Sequence, residues 1–323
     1  MSFQVFLQAI STQVQQTTYG QQPVELYEPI RYIMSLGGKR LRPLLTVLSA
    51  HLFTDDWQKA LKPSVAVEVF HNFTLMHDDI MDQAPLRRGK PTVHQKWNAN
   101  TAILSGDVML VNAYELLLDV ESTQLRQVMQ RFSRTAAEVC EGQQLDMNFE
   151  TRWDVSEAEY LEMIRLKTSV LLGFALELGG IVAQANPTTT QLLYEAGVNM
   201  GLGFQLKDDL LDVYGDPEKF GKQVGGDIIA NKKTFLLIEA LARANGAAKE
   251  ELDYWLNAKT FDKAQKVAAV SRLYDELGVH TLTETKIADY FQKGFDALDR
   301  LDVPDARKAP LLDFVQFLMG RES

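Results

Sequence analysis

The chain carries a single cysteine, Cys140, in 323 residues. That excludes a disulfide framework and a multi-cysteine metal site, and it fits a cytoplasmic protein. Proline is absent where it matters: of ten, none falls between Pro91 and Pro187 or between Pro217 and Pro304. Those stretches lack the residue that most strongly breaks helices. Positive charge is in deficit, with 33 Lys and Arg against 43 Asp and Glu. This argues against a dedicated nucleic-acid binder, which would show a basic face. No apolar run approaches the ~20 residues of a membrane span. Met1 to Gly20 has no charged start followed by an apolar core, so it does not read as a secretory signal. Alternating strands joined by hairpin turns are also missing.

What is present is helical periodicity. Apolar residues recur at three- and four-residue steps over Leu104–Leu118, Glu157–Leu178 and Thr234–Ala242, which predicts helices there. Ser64–Met81, after Pro63, is apolar almost all round, and such a helix belongs in an interior. Leu192–Val213 is similar, with Gly197, Gly201 and Gly203 allowing a bend or close helix packing. Loops are expected at Asp82–Pro91, Ala185–Thr190 and Tyr214–Asn231. Hydrophobic residues make up 46% of the chain, enough for a large core, and no linker-like shift in composition divides it. The reading is a single all-α domain over residues 1–323, a bundle of about a dozen helices. Cys140 is expected to be a small buried residue, and Asp107 a helix cap.

Within the apolar stretches lie two acidic motifs of one pattern, Asp78-Asp79-Ile80-Met81-Asp82 and Asp208-Asp209-Leu210-Leu211-Asp212. Offsets of three and four place the first two aspartates of each on the helix side of the last. No basic residue inside either motif neutralises them. Oxygen ligands without Cys or His favour Mg²⁺ over Zn²⁺. Cations cluster in nearby loops: Gly37-Gly38-Lys39-Arg40-Leu41-Arg42-Pro43, Arg87-Arg88-Gly89-Lys90, Gly221-Lys222 and Lys232-Lys233. Arg and Lys are the usual partners of phosphate oxygens.

In order and spacing, these residues resemble the trans-isoprenyl diphosphate synthases. The match runs through Gly-Gly-Lys-Arg-Leu-Arg-Pro at 37–43, His-Asp-Asp-Ile-Met-Asp at 77–82, Arg-Arg-Gly at 87–89 and Gly-Gln-Gln-Leu-Asp at 142–146. It continues through Lys-Thr at 167–168, Phe-Gln-Leu-Lys-Asp-Asp-Leu-Leu-Asp at 204–212, and Gly-Lys at 221–222 leading to Gly226-Asp227 and Lys232. The resemblance implies an all-helical homodimer whose helices surround a central active-site cavity. It implies head-to-tail condensation of isopentenyl diphosphate with an allylic diphosphate (dimethylallyl, geranyl or farnesyl). Three Mg²⁺ would be held by Asp78, Asp82 and Asp208, with Asp79, Asp209 and Asp212 in support. Arg87, Lys167, Lys222 and Lys232 would add positive charge at the leaving diphosphate. Thr168 and Gln205 would face the allylic cation, and Gln143 and Asp146 would line the cavity. Lys39, Arg42, His71 and Arg88 would cradle isopentenyl diphosphate without metal, and Arg321 could close over it. His77 reads as structural, and Lys207 has no assigned role.

Product length, on the same resemblance, is set below the first motif. Residues four and five before Asp78 lie about one turn, ~5.4 Å, below it; these are Thr74 and Phe73, and Phe70 is a second stop. One aromatic residue at that level suits a twenty-carbon product, with fifteen carbons next. The rival readings are a longer-chain synthase for quinone tails, a class I terpene cyclase, a non-catalytic synthase subunit and a plain helical interaction protein. Two intact aspartate motifs and the cation loops disfavour the last three.

Overall fold

The computed structural model describes residues 3–215 and 224–320. In chain order the helices are α1 (Phe3–Gln16), α2 (Val24–Ser35), α3 (Leu41–His51), α4 (Leu61–Met81), α5 (Val93–Lys96), α6 (Ala99–Leu117), α7 (Ser122–Glu150) and α8 (Glu157–Ile164). There follow α9 (Val170–Val182), α10 (Pro187–Tyr214), α11 (Gly226–Ile229), α12 (Phe235–Arg243), α13 (Gly246–Asn257), α14 (Lys263–Glu276), α15 (Val279–Asp299) and α16 (Asp305–Met319). A π turn, Arg165–Ser169, joins α8 to α9. The all-α expectation holds, with one correction. The stretch read as a plain loop at 82–91 contains a hairpin, β1 (Leu86–Arg87) against β2 (Lys90–Pro91). Arg88 and Gly89 at its tip have φ of 53° and 72°, the primed-turn geometry that matches strand twist. Two-residue strands are too short to alternate visibly in sequence. Among the described residues no helix is long and apolar enough to cross a membrane.

Helix ends follow local chemistry. α4 starts at Leu61, ahead of Pro63, because a first-turn residue needs no N–H donor. α10 begins at Pro187, the first helical position that proline favours, so the loop expected at 185–190 is shorter. Asn98 caps α6, its side chain accepting from the Thr101 N–H at 2.8 Å. Asp107 lies deep in α6 and is exposed, so it is not the cap. Cys140 is exposed too. On α7 the buried face runs through Thr135, Glu138, Val139 and Gly142, which turns Cys140 outward.

The contacts divide into two compact units, residues 1–134, 171–194 and 300–315, and residues 135–170, 195–299 and 316–323. The divisions at 134/135 and 194/195 fall inside α7 and α10 rather than in loops, so no linker-like composition marks them. In the first unit α4 packs on α3 and α6. It is buried along most of its length, and Glu68, Asn72 and Asp79 are buried among its apolar residues.

In the second unit α10 serves two apolar clusters. Leu202 and Leu206 pack with Phe149, Tyr160, Met163 and Phe235. Leu210 and Val213 pack with Leu236, Leu252, Leu273 and Tyr274. The motif aspartates between them are therefore carried on a helix held on more than one side. Gly142 sets the approach of α7 to the π turn, since a Cβ there would stand 2.2 Å from the Lys167 backbone nitrogen. Gly142→Ala is expected to force that contact apart and to destabilise the protein by about 1–3 kcal/mol, read as a lower urea midpoint with unchanged slope.

Candidate active site

The first unit gathers the residues expected to hold a metal-free diphosphate. Gly37 and Gly38 take φ of 78° and 136°, and Arg40 follows at 50°, a left-handed run that lets three cations leave the chain in different directions. Arg40 turns inward. Its Nη1 meets Glu68 Oε1 at 2.5 Å and its Nη2 donates to the Met34 carbonyl at 3.0 Å. Glu68 is 2% exposed and also accepts from Asn72 Nδ2 at 3.1 Å. Lys39 stays exposed. Arg42 Nη1 lies 3.1 Å from His71 Nε2. A guanidinium can only donate, so Nε2 accepts and the neutral ring carries its proton on Nδ1. Burial first, then Arg42, Arg88, Arg87 and Arg40, hold the His71 pKa well below the ordinary value. Burial also pushes Arg42 down to about 10, against the pull of Glu68. Arg42 Nε is buried and finds no hydrogen-bond partner among the described residues. Arg88 Nη1 donates to the Gly37 carbonyl, which docks the hairpin tip on the glycine turn.

The hairpin separates its two arginines. Arg87 returns to the first aspartate motif and grips Asp79, with Nε 2.8 and 2.9 Å from the two carboxylate oxygens and Nη2 2.6 Å from Oδ1. Its Nη2 is 3.9 Å from Asp78 Oδ2. Asp79 is 2% exposed. Burial raises its pKa and Arg87 opposes the rise. Asp78 is half-buried and Asp82, which ends α4, is exposed. His77 is tied down, with Nε2 3.1 Å from the Ile103 carbonyl and its ring 4.8 Å from that of Phe73.

Below this level lies an aromatic cluster. Phe70 is fully buried, 5.5 Å from Phe73 and 5.1 Å from Phe132 between ring centroids. Phe132 in turn meets Tyr114 at 4.8 Å and Phe174 at 5.6 Å. Thr74 bonds back to the His71 carbonyl at 2.8 Å. Sequence reading identifies Phe70 and Phe73 but not the partners that brace them, which come from α6, α7 and α9.

The second unit gathers the other half of the expected set. Lys167 Nζ meets Asp146 Oδ2 at 2.5 Å. Against the upward push of burial, Lys232 and Lys167 hold the Asp146 carboxyl below its usual range. Thr168 Oγ1 donates to Gln205 Oε1 at 3.1 Å, and Gln205 Nε2 donates to Asp209 Oδ1 at 3.0 Å. Both Lys167 and Thr168 sit on the π turn, a distortion that recurs at functional sites. Buried Tyr160 donates to Asp209 Oδ2; the sequence reading missed it, although a tyrosine in an apolar segment needs a partner for its hydroxyl. Burial and then Asp227 raise the Asp209 pKa to about 7, with Lys232, Tyr160 and Gln205 opposing. Asp212 Oδ1 accepts from the Asp227 N–H at 2.9 Å. Lys207 turns to the Met319 carbonyl at the end of α16. Gln143 and Asp208 are half-buried and Lys232 is exposed. Lys222 and Arg321 lie outside the described residues.

Each motif therefore has one deeply buried aspartate held by neighbouring side chains, Asp79 by Arg87 and Asp209 by Tyr160 and Gln205. Among the described residues no three His, Cys, Asp or Glu side chains form a metal-holding group by themselves. A hard cation completed by phosphate oxygens and water needs only one or two carboxylates, and the all-oxygen donors present fit such an ion.

The comparisons with known proteins identify the family. The chain is 39% identical over 303 residues to a geranylgeranyl diphosphate synthase from Methanosarcina mazei, covering 93% of this chain and 91% of the relative. A crystal structure of a geranylgeranyl pyrophosphate synthase superposes with TM-score 0.92 at 46% identity, over 99% of this chain and 98% of that one. A polyprenyl synthase from Caulobacter crescentus, solved with calcium and isoprenyl diphosphate, matches with TM-score 0.88 at 30% identity, over 99% of this chain and 96% of that one. The family model described as polyprenyl synthetase matches residues 23–274. That span takes in both aspartate motifs, the glycine–cation loop and the hairpin arginines, and the chain belongs to the polyprenyl synthetase family.

Proposed function

We propose that this chain is a prenyltransferase that condenses isopentenyl diphosphate head-to-tail with an allylic diphosphate and releases an all-trans prenyl diphosphate, geranylgeranyl in preference to farnesyl. The observation that carries the reading is the cation surplus of the first unit. Arg40, Arg42, Arg87 and Arg88 all act on His71, while the close ion pairs of Glu68 and Asp79 are with Arg40 and Arg87. A buried guanidinium nitrogen without a partner among the described residues, Arg42 Nε, suits an anion that brings its own oxygens.

Lys39, Arg42 and Arg88 would hold the diphosphate of isopentenyl diphosphate, with His71 donating from Nδ1. Asp78, Asp82 and Asp208 are the proposed Mg²⁺ ligands, with about three ions as the family resemblance suggests. When bound, Mg²⁺ neutralises the charge that develops on the departing diphosphate. Arg87 fixes Asp79 and so keeps a positive charge beside Asp78; Lys167 and Lys232 supply charge in the second unit, and Lys222 is proposed to join them. The allylic carbon–oxygen bond breaks, and the electron pair leaves with the diphosphate. The Gln205 carbonyl and Thr168 hydroxyl face the cation as dipoles, and the apolar residues around them exclude water. The double bond of isopentenyl diphosphate attacks the cation. Loss of one proton, taken by the departed diphosphate, restores a double bond. By the family resemblance Gln143 would serve the allylic substrate, and in the first unit Phe73 and then Phe70 would stop the growing chain, beside Thr74. The single Cys140 supports a cytoplasmic location as part of this proposal.

A homodimer is part of the same reading, and α6 supports it. Leu104, Val111 and Leu118 recur every seventh residue at 58, 56 and 55% exposure, beside Ile103 at 43%. A seven-residue apolar seam is the pattern by which helices pair.

Purified protein with Mg²⁺, isopentenyl diphosphate and farnesyl diphosphate is expected to release diphosphate and form a twenty-carbon product. Asp78→Asn and Asp208→Asn should each lower kcat by about 10²–10³-fold. Absence of diphosphate release from the wild type would sink the proposal. Phe73→Ala is expected to shift products to longer chains on chromatography; an unchanged product removes Phe73 as the floor. Leu104→Glu combined with Val111→Glu should yield monomers in sedimentation, whereas an intact dimer would place the interface elsewhere.

A further inference from the structure

Lys232 is exposed, yet the residues on both sides of it are fixed. Lys233 is buried, donates from Nζ to the Glu150 carbonyl at 2.9 Å, and lies 4.3 Å from the Trp153 ring centroid. Asn231 holds φ at 51°, a left-handed conformation that non-glycine residues adopt at a cost. Its Oδ1 accepts from Lys266 Nζ at 2.6 Å, and its Nδ2 donates to the Leu256 carbonyl at 3.1 Å. The backbone N–H of Lys232 donates to the Asp227 carbonyl at 2.9 Å. Upstream, the turn is tied to the second aspartate motif: the Gly225 N–H donates to the Asp212 carbonyl at 2.6 Å and the Asp227 N–H to Asp212 Oδ1 at 2.9 Å.

Lys266 is out of character for a helical lysine. It is 1% exposed, and burial pushes its pKa down. Its ammonium meets Asn231 and lies 4.4 Å from the Phe261 ring centroid. No carboxylate among the described residues pairs with it. A buried ammonium without a counter-charge costs stability, so packing alone is a poor reason to keep it. The next residue of α14, Val267, fills the space beside Gly225, where a Cβ would stand 2.5 Å from Val267 Cγ2. Two consecutive side chains of α14 thus set the turn at Gly225 and at Asn231, before and just at the approach to Lys232. Nothing in the sequence marks Lys266, which reads as one more solvated helix lysine.

We infer that Lys266 is a positioning residue for Lys232: its bond to Asn231 holds the left-handed turn that presents the Lys232 ammonium to a diphosphate. The inference rests on the proposed diphosphate chemistry of the second unit. Lys232 is already electrostatically coupled to Asp146 and Asp209 there, so a small swing of the turn changes the charge offered to a ligand.

Two variants test it. Lys266→Met keeps most of the stem and removes the ammonium. Asn231→Gly removes the acceptor while glycine accepts the backbone angle without strain. Steady-state kinetics with both substrates, and calorimetric binding of inorganic diphosphate with Mg²⁺, are the readouts. Each variant is expected to raise KM for the allylic diphosphate and weaken inorganic diphosphate binding by about 5–20-fold, leaving KM for isopentenyl diphosphate unchanged. Lys232→Met should show a comparable loss, and adding Lys266→Met to it should cost nothing further, because both act through one ammonium. Fully additive losses, or unchanged diphosphate affinity in the folded variants, overturn the inference. If Lys266→Met does not fold, Asn231→Gly decides by the same binding readout. A wild type that binds diphosphate but makes no prenyl product overturns the reaction instead, and the binding arm still judges Lys266.

Discussion

The constraint on which the rest depends is that a carboxylate inside an apolar helix must be given a partner or give up its charge. Both aspartate motifs lie on such helices, and both meet the constraint at one position. Asp79 is met by Arg87 through both carboxylate oxygens. Asp209 is met by Tyr160 and Gln205, yet burial and then Asp227 still raise its pKa to about 7 against their pull and that of Lys232. The committed aspartate anchors the motif, and that leaves its neighbours Asp78 and Asp208 half-buried on the same helices. Fixing one carboxylate in this way also fixes the position of the next, which is the property a ligand of the proposed cation would need.

Cations are handled by a different device. Several are displayed on or beside turns with left-handed backbone, while Arg42 opens α3 and Lys167 lies on the π turn. Gly37, Gly38 and Arg40 form one such turn, Arg88 and Gly89 another, and Gly225 and Asn231 flank a third. In two of them neighbouring cations diverge: Arg87 goes to Asp79 and Arg88 to Gly37, while Arg40 goes to Glu68 and Arg42 to His71. On a helix, neighbours point about 100° apart with ~3.6 residues per turn, and could not be divided so sharply between an internal anchor and an outward contact.

Much of this was legible in the sequence, for reasons that also explain the failures. Helix class followed from the proline-free stretches, and α4 read as buried because it is apolar on every side. The motifs stood out because bare carboxylates are costly there. Asp107 and Cys140 were misplaced because each was read without the helix phase around it, and the phase of α7 turns Cys140 outward. Glu68 was passed over, although a lone acid amid apolar neighbours carries the same signal as Asp79. Tyr160 offers only the weak signal of a hydroxyl in an apolar segment, and Asn231 and Lys266 offer none. Their roles depend on contacts across 49 residues for Tyr160 and Asp209 and 35 for Lys266 and Asn231, and on one residue adopting a left-handed angle that its identity does not demand.

On the proposed function, the aromatic cluster that folds the first unit would also bear on the product. Phe73 keeps 8% exposure while Phe70 has none, and the two are three residues apart on α4, a rise of ~4.5 Å. Phe73 is held mainly by its own helix, through Phe70 and His77. Phe70 is held by Phe132, which is itself clasped by Tyr114 and Phe174. On the proposed reading, the upper stop would be a side chain that can be changed at local cost, and the lower stop would be the core. A floor made this way would tie product length to stability. Shortening Phe73 would move the limit down by about one step along α4. Moving it past Phe70 would require rebuilding contacts from α6, α7 and α9 together, because an unfilled cavity at Phe70 carries the full penalty of an aromatic deletion from a packed interior, about 3–5 kcal/mol.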